Sequence, residues 1–381
     1  MKLSEDKRGF LKWVSTGLLV VMLTACASGS DKPKPVDLGA NPALLGVRST
    51  WVKKIGTLDF PLEVKVNGNA LVLASSEGLV VSLHAETGAD LWRSNVGAPI
   101  TAGVGSDGRY AAVVTRSNEL VTLDGGRELW RSRLLAQVFT APLVAGGRVF
   151  ILGADRSVTA FDVQSGRRLW QNQRPGEALV LRQTGVLMAV GNTLVVGLSG
   201  RLVGMNPLNG NMVWEAAIAT PRGTNDIERL VDLVGGVSRE GDNLCVRAFQ
   251  SAVGCVDALR GSVTWKRTAS GAVGLSGDDK LVYGVESDAR LLAWRRADGE
   301  QVWVSDRLRY RELTAPLVIG RSIAVGDEAG LVHLISRTDG STLARLATDG
   351  SAITSSPVLA AGTMVVVTRN GGVFGYKPES P

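Results

Sequence analysis

The sequence predicts an all-β fold: an eight-bladed β-propeller of four-stranded antiparallel blades, its ring closed by an N-terminal strand. Three observations carry this expectation. A motif ending in Trp recurs through most of the 381 residues, at successive spacings of 38, 40, 44, 51, 38 and 41. Such a period, with Gly turns and no helical periodicity, is the mark of propeller blades. Composition agrees, with 45% hydrophobic residues and 46 Gly against 13 Pro, as many short strands and tight turns require. Eight apolar strand pairs can also be counted, at 71–83, 111–123, 149–161, 193–205, 243–257, 281–293, 323–335 and 364–376.

The elements follow in chain order. Met1–Lys12 is polar and basic, and Trp13–Leu23 is apolar but too short to span a bilayer, which needs about 20 residues. Residues 1–25 therefore read as a signal peptide. The string Leu23-Thr24-Ala25-Cys26 resembles a bacterial lipobox. That resemblance implies Cys26 as the first mature residue and lipid anchor. Ala27 and Ser28 after it imply sorting to the outer membrane, facing the periplasm. Residues 26–45, with Ser28-Gly29-Ser30 and Lys32-Pro33-Lys34-Pro35, read as a flexible tether, and 46–381 as the propeller.

Within the propeller the repeat motif ends at Trp92, Trp130, Trp170, Trp214, Trp265 and Trp303; a seventh copy has Ala344 in the Trp place. Thr140–Val144 recurs letter for letter as Thr314–Val318, and Ser355–Leu359 is close; these read as inner strands. The eighth strand pair runs out of chain before an outer strand. Ser49–Val52 supplies one, with Trp51 placed 41 residues before Trp92, on period. Closure would remove open sheet edges. The repeated Trp residues are expected between blades as core.

Charge and chemistry narrow the function. The net charge of +6 falls to +4 without residues 1–25, and no dense basic run occurs, which argues against nucleic acid. The two histidines, His84 and His333, sit on separate strands with no paired ligand nearby, so structural roles are expected. No catalytic, cofactor or metal residue is assigned. Cys245 and Cys255 flank Phe249-Gln250-Ser251 symmetrically. A three-residue hairpin loop would set them opposite each other, at a spacing that a disulfide allows. A structural bridge is one reading and two free thiols the other.

Fragments such as Ala85-Glu-Thr-Gly88…Trp92 and Ala160-Phe-Asp162…Gly166…Trp170 are similar to the repeats of pyrrolo-quinoline quinone enzymes. Lipobox, repeat count and length together resemble the BamB family of lipoproteins, from the outer-membrane β-barrel assembly (Bam) complex. The resemblance implies a non-enzymatic scaffold that binds the POTRA domains of the central barrel subunit, BamA, and assists insertion of barrel proteins. Unfolded outer-membrane proteins, and the inner leaflet of the outer membrane through the lipid, would be further contacts.

The connections from Trp170 and from Trp214 to the next strand pair are the longest, 23 and 29 residues, and follow one another on one rim. Loops longer than a fold needs tend to carry function. The first holds Leu179-Val180-Leu181-Arg182, which resembles the family's L-x-L-R partner-binding segment. That implies Leu179 and Leu181 as apolar anchors and Arg182 as a charged contact. The second, Ile227–Val234, resembles the family's I-D-R-L-x-D-V-D segment: Arg229 keeps its place and Asp232 matches the first closing acid. Val234 replaces the second. The plainer reading is that the leucines begin a strand and Asp232 caps a turn. Two other classes compete. A polymer- or sugar-binding propeller would want exposed aromatics, for which Trp294 and Tyr310 are the candidates. A quinone-dependent dehydrogenase would want a vicinal Cys pair, absent here.

Overall fold

The computed structural model describes residues 33–175 and 179–379. Its chain divides into two units, Met1–Pro35 and Val36–Pro381. Of the first, only residues 33–35 are described, irregular and exposed. The segment read as a signal peptide, and Cys26, lie outside the described residues.

Among its described residues the second unit holds 32 strands in eight four-stranded antiparallel sheets. Numbered in chain order, blade 1 spans residues 65–95, blade 2 100–133, blade 3 143–173 and blade 4 187–217. Blade 5 spans 233–268, blade 6 276–305 and blade 7 317–347. Blade 8 takes residues 358–378 and, as its outer strand, Val47–Lys54. Each inner strand contacts its neighbour's blade, and the last returns to the first, so the ring is closed. The second and third strands, such as Tyr110–Thr115 and the interior of Glu119–Asp124, are buried on both faces, which explains why their sequences barely alternate.

Closure by the N-terminal strand is direct. Val47–Lys54 pairs antiparallel with Gly372–Pro378, from Val47 opposite Pro378 to Lys54 opposite Gly372. The register shifts between Ser49 and Trp51. The same one-residue bulge precedes Trp92, Trp130, Trp170, Trp214, Trp265 and Trp303. Trp51 therefore occupies the repeated position in local geometry as well as in spacing.

Each of these tryptophans reaches into the following blade. Five indole N–H groups donate to a carbonyl there: Trp51 to Ala85 (3.0 Å), Trp130 to Val163 (2.8 Å), Trp170 to Pro207 (3.0 Å), Trp265 to Arg296 (2.7 Å) and Trp303 to Arg337 (3.0 Å). The ring lies on the Gly that ends the motif turn. At Gly88, for example, φ is +66° and an added Cβ would stand 2.6 Å from the indole of Trp51. Left-handed backbone and close approach both demand Gly here.

Three expectations need correction. The inner strands begin at Leu143, Leu317 and Val358, just after Pro142, Pro316 and Pro357, not at the Thr or Ser three residues earlier. Proline has no N–H to give the ladder, so pairing starts beyond it. Trp294, a candidate exposed aromatic, is 3% exposed, packed in the core beside Trp265 and under Arg247. The chain read as tether to Leu45 is held from Val36 onward. Asn41 pairs its amide with both backbone groups of Arg345, Leu44 N–H donates to Leu343, and Leu45 packs into the blade 7–8 core.

Phe249-Gln250-Ser251 forms the three-residue turn, with Gln250 at φ +45°, and Cys245 faces Cys255 at a Cα–Cα distance of 4.0 Å with their sulfurs joined. His333 is buried, its Nε2 2.9 Å from Asp327, while His84 lies 3.2 Å from the Asn69 amide.

Candidate docking site

The connections leaving the outer strands all emerge on one rim. The two long ones meet there. Residues 174–186 join blade 3 to blade 4, and residues 218–232 join blade 4 to blade 5. The leucines of the first do not begin a strand, since blade 4 starts only at Leu187.

Asp232 ties the loops together. Its Oδ2 accepts the backbone N–H of Leu181 at 3.0 Å, and its Oδ1 lies 3.4 Å from Arg156 Nη1. Arg156, from the blade 3 turn, also donates to the Leu179 carbonyl at 3.0 Å. Both ionic side chains are largely covered, which strengthens their hydrogen bonds. Asp232 N-terminally adjoins blade 5, and its carbonyl accepts the Phe249 N–H at 3.0 Å. Asp232 thus presents its carboxylate inward, as an organiser of the loop pair. Val234, where the family pattern has its second acid, is buried and bridges to Gly185.

With its backbone so pinned, the first loop displays Leu179, 41% exposed, next to half-buried Leu181 and exposed Arg182. The Arg182 guanidinium stands 5.8 Å from the ring centre of Phe139, an arrangement that limits its wandering. The second loop is a compact turn. Thr224 N–H and Asn225 hold Glu228, and the Thr224 hydrogen bond draws the Glu228 carboxyl below its ordinary pKa. That turn presents Ile227, 76% exposed, and Arg229, also exposed.

The structure therefore brings Leu179, Leu181, Arg182 and Asp232 together, with Arg229 on the adjoining turn. Sequence reasoning passed over Arg156, Phe139 and Ile227. Ile227 stood inside the quoted segment. Arg156 gives no signal in the chain, because its role depends on a loop 76 residues away. The surface sets exposed and half-buried aliphatic side chains beside exposed arginines, a mixture that a protein interface can use. No helix among the described residues is long and apolar enough to cross a membrane.

A family model described as outer membrane protein assembly factor BamB matches residues 76–305. The BamB of Burkholderia pseudomallei is 33% identical over 371 residues, covering 96% of this chain and 97% of that protein. The BamB of Bordetella pertussis is 35% identical over 367 residues, covering 94% and 95%. The crystal structure of BamB from Moraxella catarrhalis superposes with a TM-score of 0.79 at 25% identity, covering 87% of this chain and 99% of that one. These relatives are named as assembly factors. It belongs to the BamB family of outer membrane protein assembly factors.

Proposed function

We propose that the protein is a scaffold lipoprotein of the Bam complex that docks onto the POTRA domains of BamA through the rim of blades 3–5. In this reading Leu179 and Leu181 are the apolar anchors, Arg182 and Arg229 the charged contacts, and Asp232 the residue that positions the anchors. Cys26 carries the lipid that keeps the protein at the periplasmic face of the outer membrane. The observation that carries the reading is the Asp232 carboxylate accepting the Leu181 N–H, which presets the anchor loop before any partner arrives. Pre-organisation reduces the entropy lost on binding.

The test is capture of the POTRA segment of BamA by the full mature chain. Leu181→Ala and Arg182→Ala are expected to weaken capture at least tenfold, since buried hot-spot truncations cost about 2 kcal/mol or more. Asp232→Asn should loosen the 179–182 loop, read as faster hydrogen exchange there, and so weaken capture. Undiminished capture by folded Leu181→Ala and Arg182→Ala variants overturns the site. Labelling with palmitate that survives Cys26→Ala overturns the anchor.

A further inference from the structure

The propeller repeats one groove around its rim, and in two places the groove differs in an instructive way. Between blades 6 and 7, Val36, Asp37 and Leu38 of the N-terminal strap line a recess with Asp306, Arg307, Thr342 and Arg345. Leu38 packs on the cluster that contains Leu308 and Leu313. The strap there is in no strand or helix and is held by hydrogen bonds to the propeller. Val36 N–H donates to Arg309 at 3.1 Å, Arg311 donates to the Val36 carbonyl at 3.2 Å, and Arg345 donates to the Gly39 carbonyl at 2.6 Å.

Four blades round the ring, between blades 2 and 3, the equivalent groove is a cavity of about 310 Å³. Counting from the outer-strand residue at the Trp position, Arg168 and Gln171 of blade 3 correspond to Thr342 and Arg345 of blade 7. Its walls include Leu134, Val138, Ile151 and Phe161, all buried apolar residues. The depth has a cause. In blade 7 the space is filled by His333 hydrogen-bonded to Asp327 and by Arg311 reaching in. In blade 3 the matching third-strand residue is Thr159 and the matching turn residue is Gly153. Arg133 and Arg168, both exposed, stand at the mouth, and Leu135 on its lip is 83% exposed.

We infer that the blade 2–3 crevice is a binding site for an extended protein segment carrying an aliphatic side chain beside an acidic one. The protein's own strap shows how the aliphatic part of such a segment sits in the sister groove, where Leu38 packs on the cluster and the neighbouring Asp37 accepts the Gly39 N–H. The cavity takes the aliphatic side chain, and the two arginines favour a neighbouring carboxylate. The site shares Gly153 with the pocket under Leu181 and Asp232 but uses none of the side chains of the docking reading above, and does not depend on it.

The probe is a fluorescent peptide with the strap sequence, residues 36–46, titrated onto the full mature chain and followed by anisotropy. Saturable binding is expected. Arg168→Glu, an exposed change, is expected to weaken it at least fivefold, and Thr159→Trp, which fills the cavity, at least tenfold. A peptide with Leu38→Asp should not compete. Absence of saturable binding at peptide concentrations up to a millimolar overturns the proposal. So does binding undiminished by Arg168→Glu and Thr159→Trp but abolished by Arg345→Ala, which would place the peptide in the blade 6–7 groove in exchange for the resident strap. Peptide-independent pairing of two copies through their straps, read by light scattering, would equally overturn it.

Discussion

The closing strand can be tested through the pair Trp51 and Gly88. Trp51 is 9% exposed, its indole N–H bonded to Ala85, its ring on Gly88 of blade 1. Trp51→Ala removes a core aromatic, a loss of about 3–5 kcal/mol. The Ala85 carbonyl also loses its indole donor, about 1 kcal/mol more. Gly88→Ala forces a Cβ onto backbone at φ +66°, which costs about 1–2 kcal/mol by itself. It also drives that Cβ into the indole, and overpacking of this kind adds about 1–3 kcal/mol. Once Trp51 is gone the second penalty has no object, so Gly88→Ala in the Trp51→Ala background should cost only the backbone part. The two changes are therefore expected to couple by about 1–3 kcal/mol, the double variant being better than the sum. Native-state hydrogen exchange of Val47–Lys54 measures this locally, because opening of the closing strand exposes its amides. Costs that add within about 0.5 kcal/mol, or exchange of Val47–Lys54 indifferent to Trp51→Ala, would refute the account of closure.

Two further outcomes follow from buried groups. Burial pushes the Asp327 carboxyl up, but the His333 hydrogen bond and the Leu331 N–H pull it down further, so its pKa lies below the ordinary value. A depressed carboxylate stabilises the fold fully above its unfolded pKa of about 3.9 and loses that contribution as pH falls through the folded value. Asp327→Asn should therefore lower the melting temperature at pH 7, and the gap to the parent should close below about pH 4; a gap that widens on acidification contradicts this. For the hairpin, thiol titration of the unreduced, denatured protein should find neither Cys245 nor Cys255 free. Replacing both by Ser should cost about 2–3 kcal/mol, given the sequence separation of 10 residues. Two titratable thiols would dismiss the bridge.

What the sequence disclosed and what it hid separate along physical lines. The ring was legible because Trp is too large to be moved. A side chain that fills a gap between blades must recur at each gap, and the Gly it rests on must recur with it. The two long connections were legible as excess length. Trp294 misled because exposure is a property of neighbours: a Trp off the motif was taken for a surface residue, yet the Arg247 side chain covers it. The strap was hidden for a related reason. Asn41, Leu44 and Leu45 form no period, and their partners lie some 300 residues away, at Leu343 and Arg345. Arg156 escaped notice because nothing local marks a residue whose work is done on a neighbouring blade's loop.

The one gap without a Trp shows how these constraints fit together. A tryptophan at each outer strand needs a small residue beside it, and the paired positions are Ser82, Thr122, Ala160, Gly204, Cys255, Ala293 and Gly375. Ala344 instead faces Leu334, so the volume is restored from the other strand. Trp at 344 would also lack a seat. The seat is the Gly turn between third and outer strands of the next blade, and in blade 8 that turn does not exist, because those strands are the two ends of the propeller chain. The strap answers the deficit. Leu45 and Val47 pack on the cluster containing Ala344, and Tyr376 donates from blade 8 to the Ala347 carbonyl at 2.9 Å. Arg321 and Arg345 hold the strap carbonyls of Leu44 and Gly39. Loss of the Trp, the enlarged Leu334 and the docked strap are thus one solution to a single problem, that of sealing a ring at the place where its chain begins and ends.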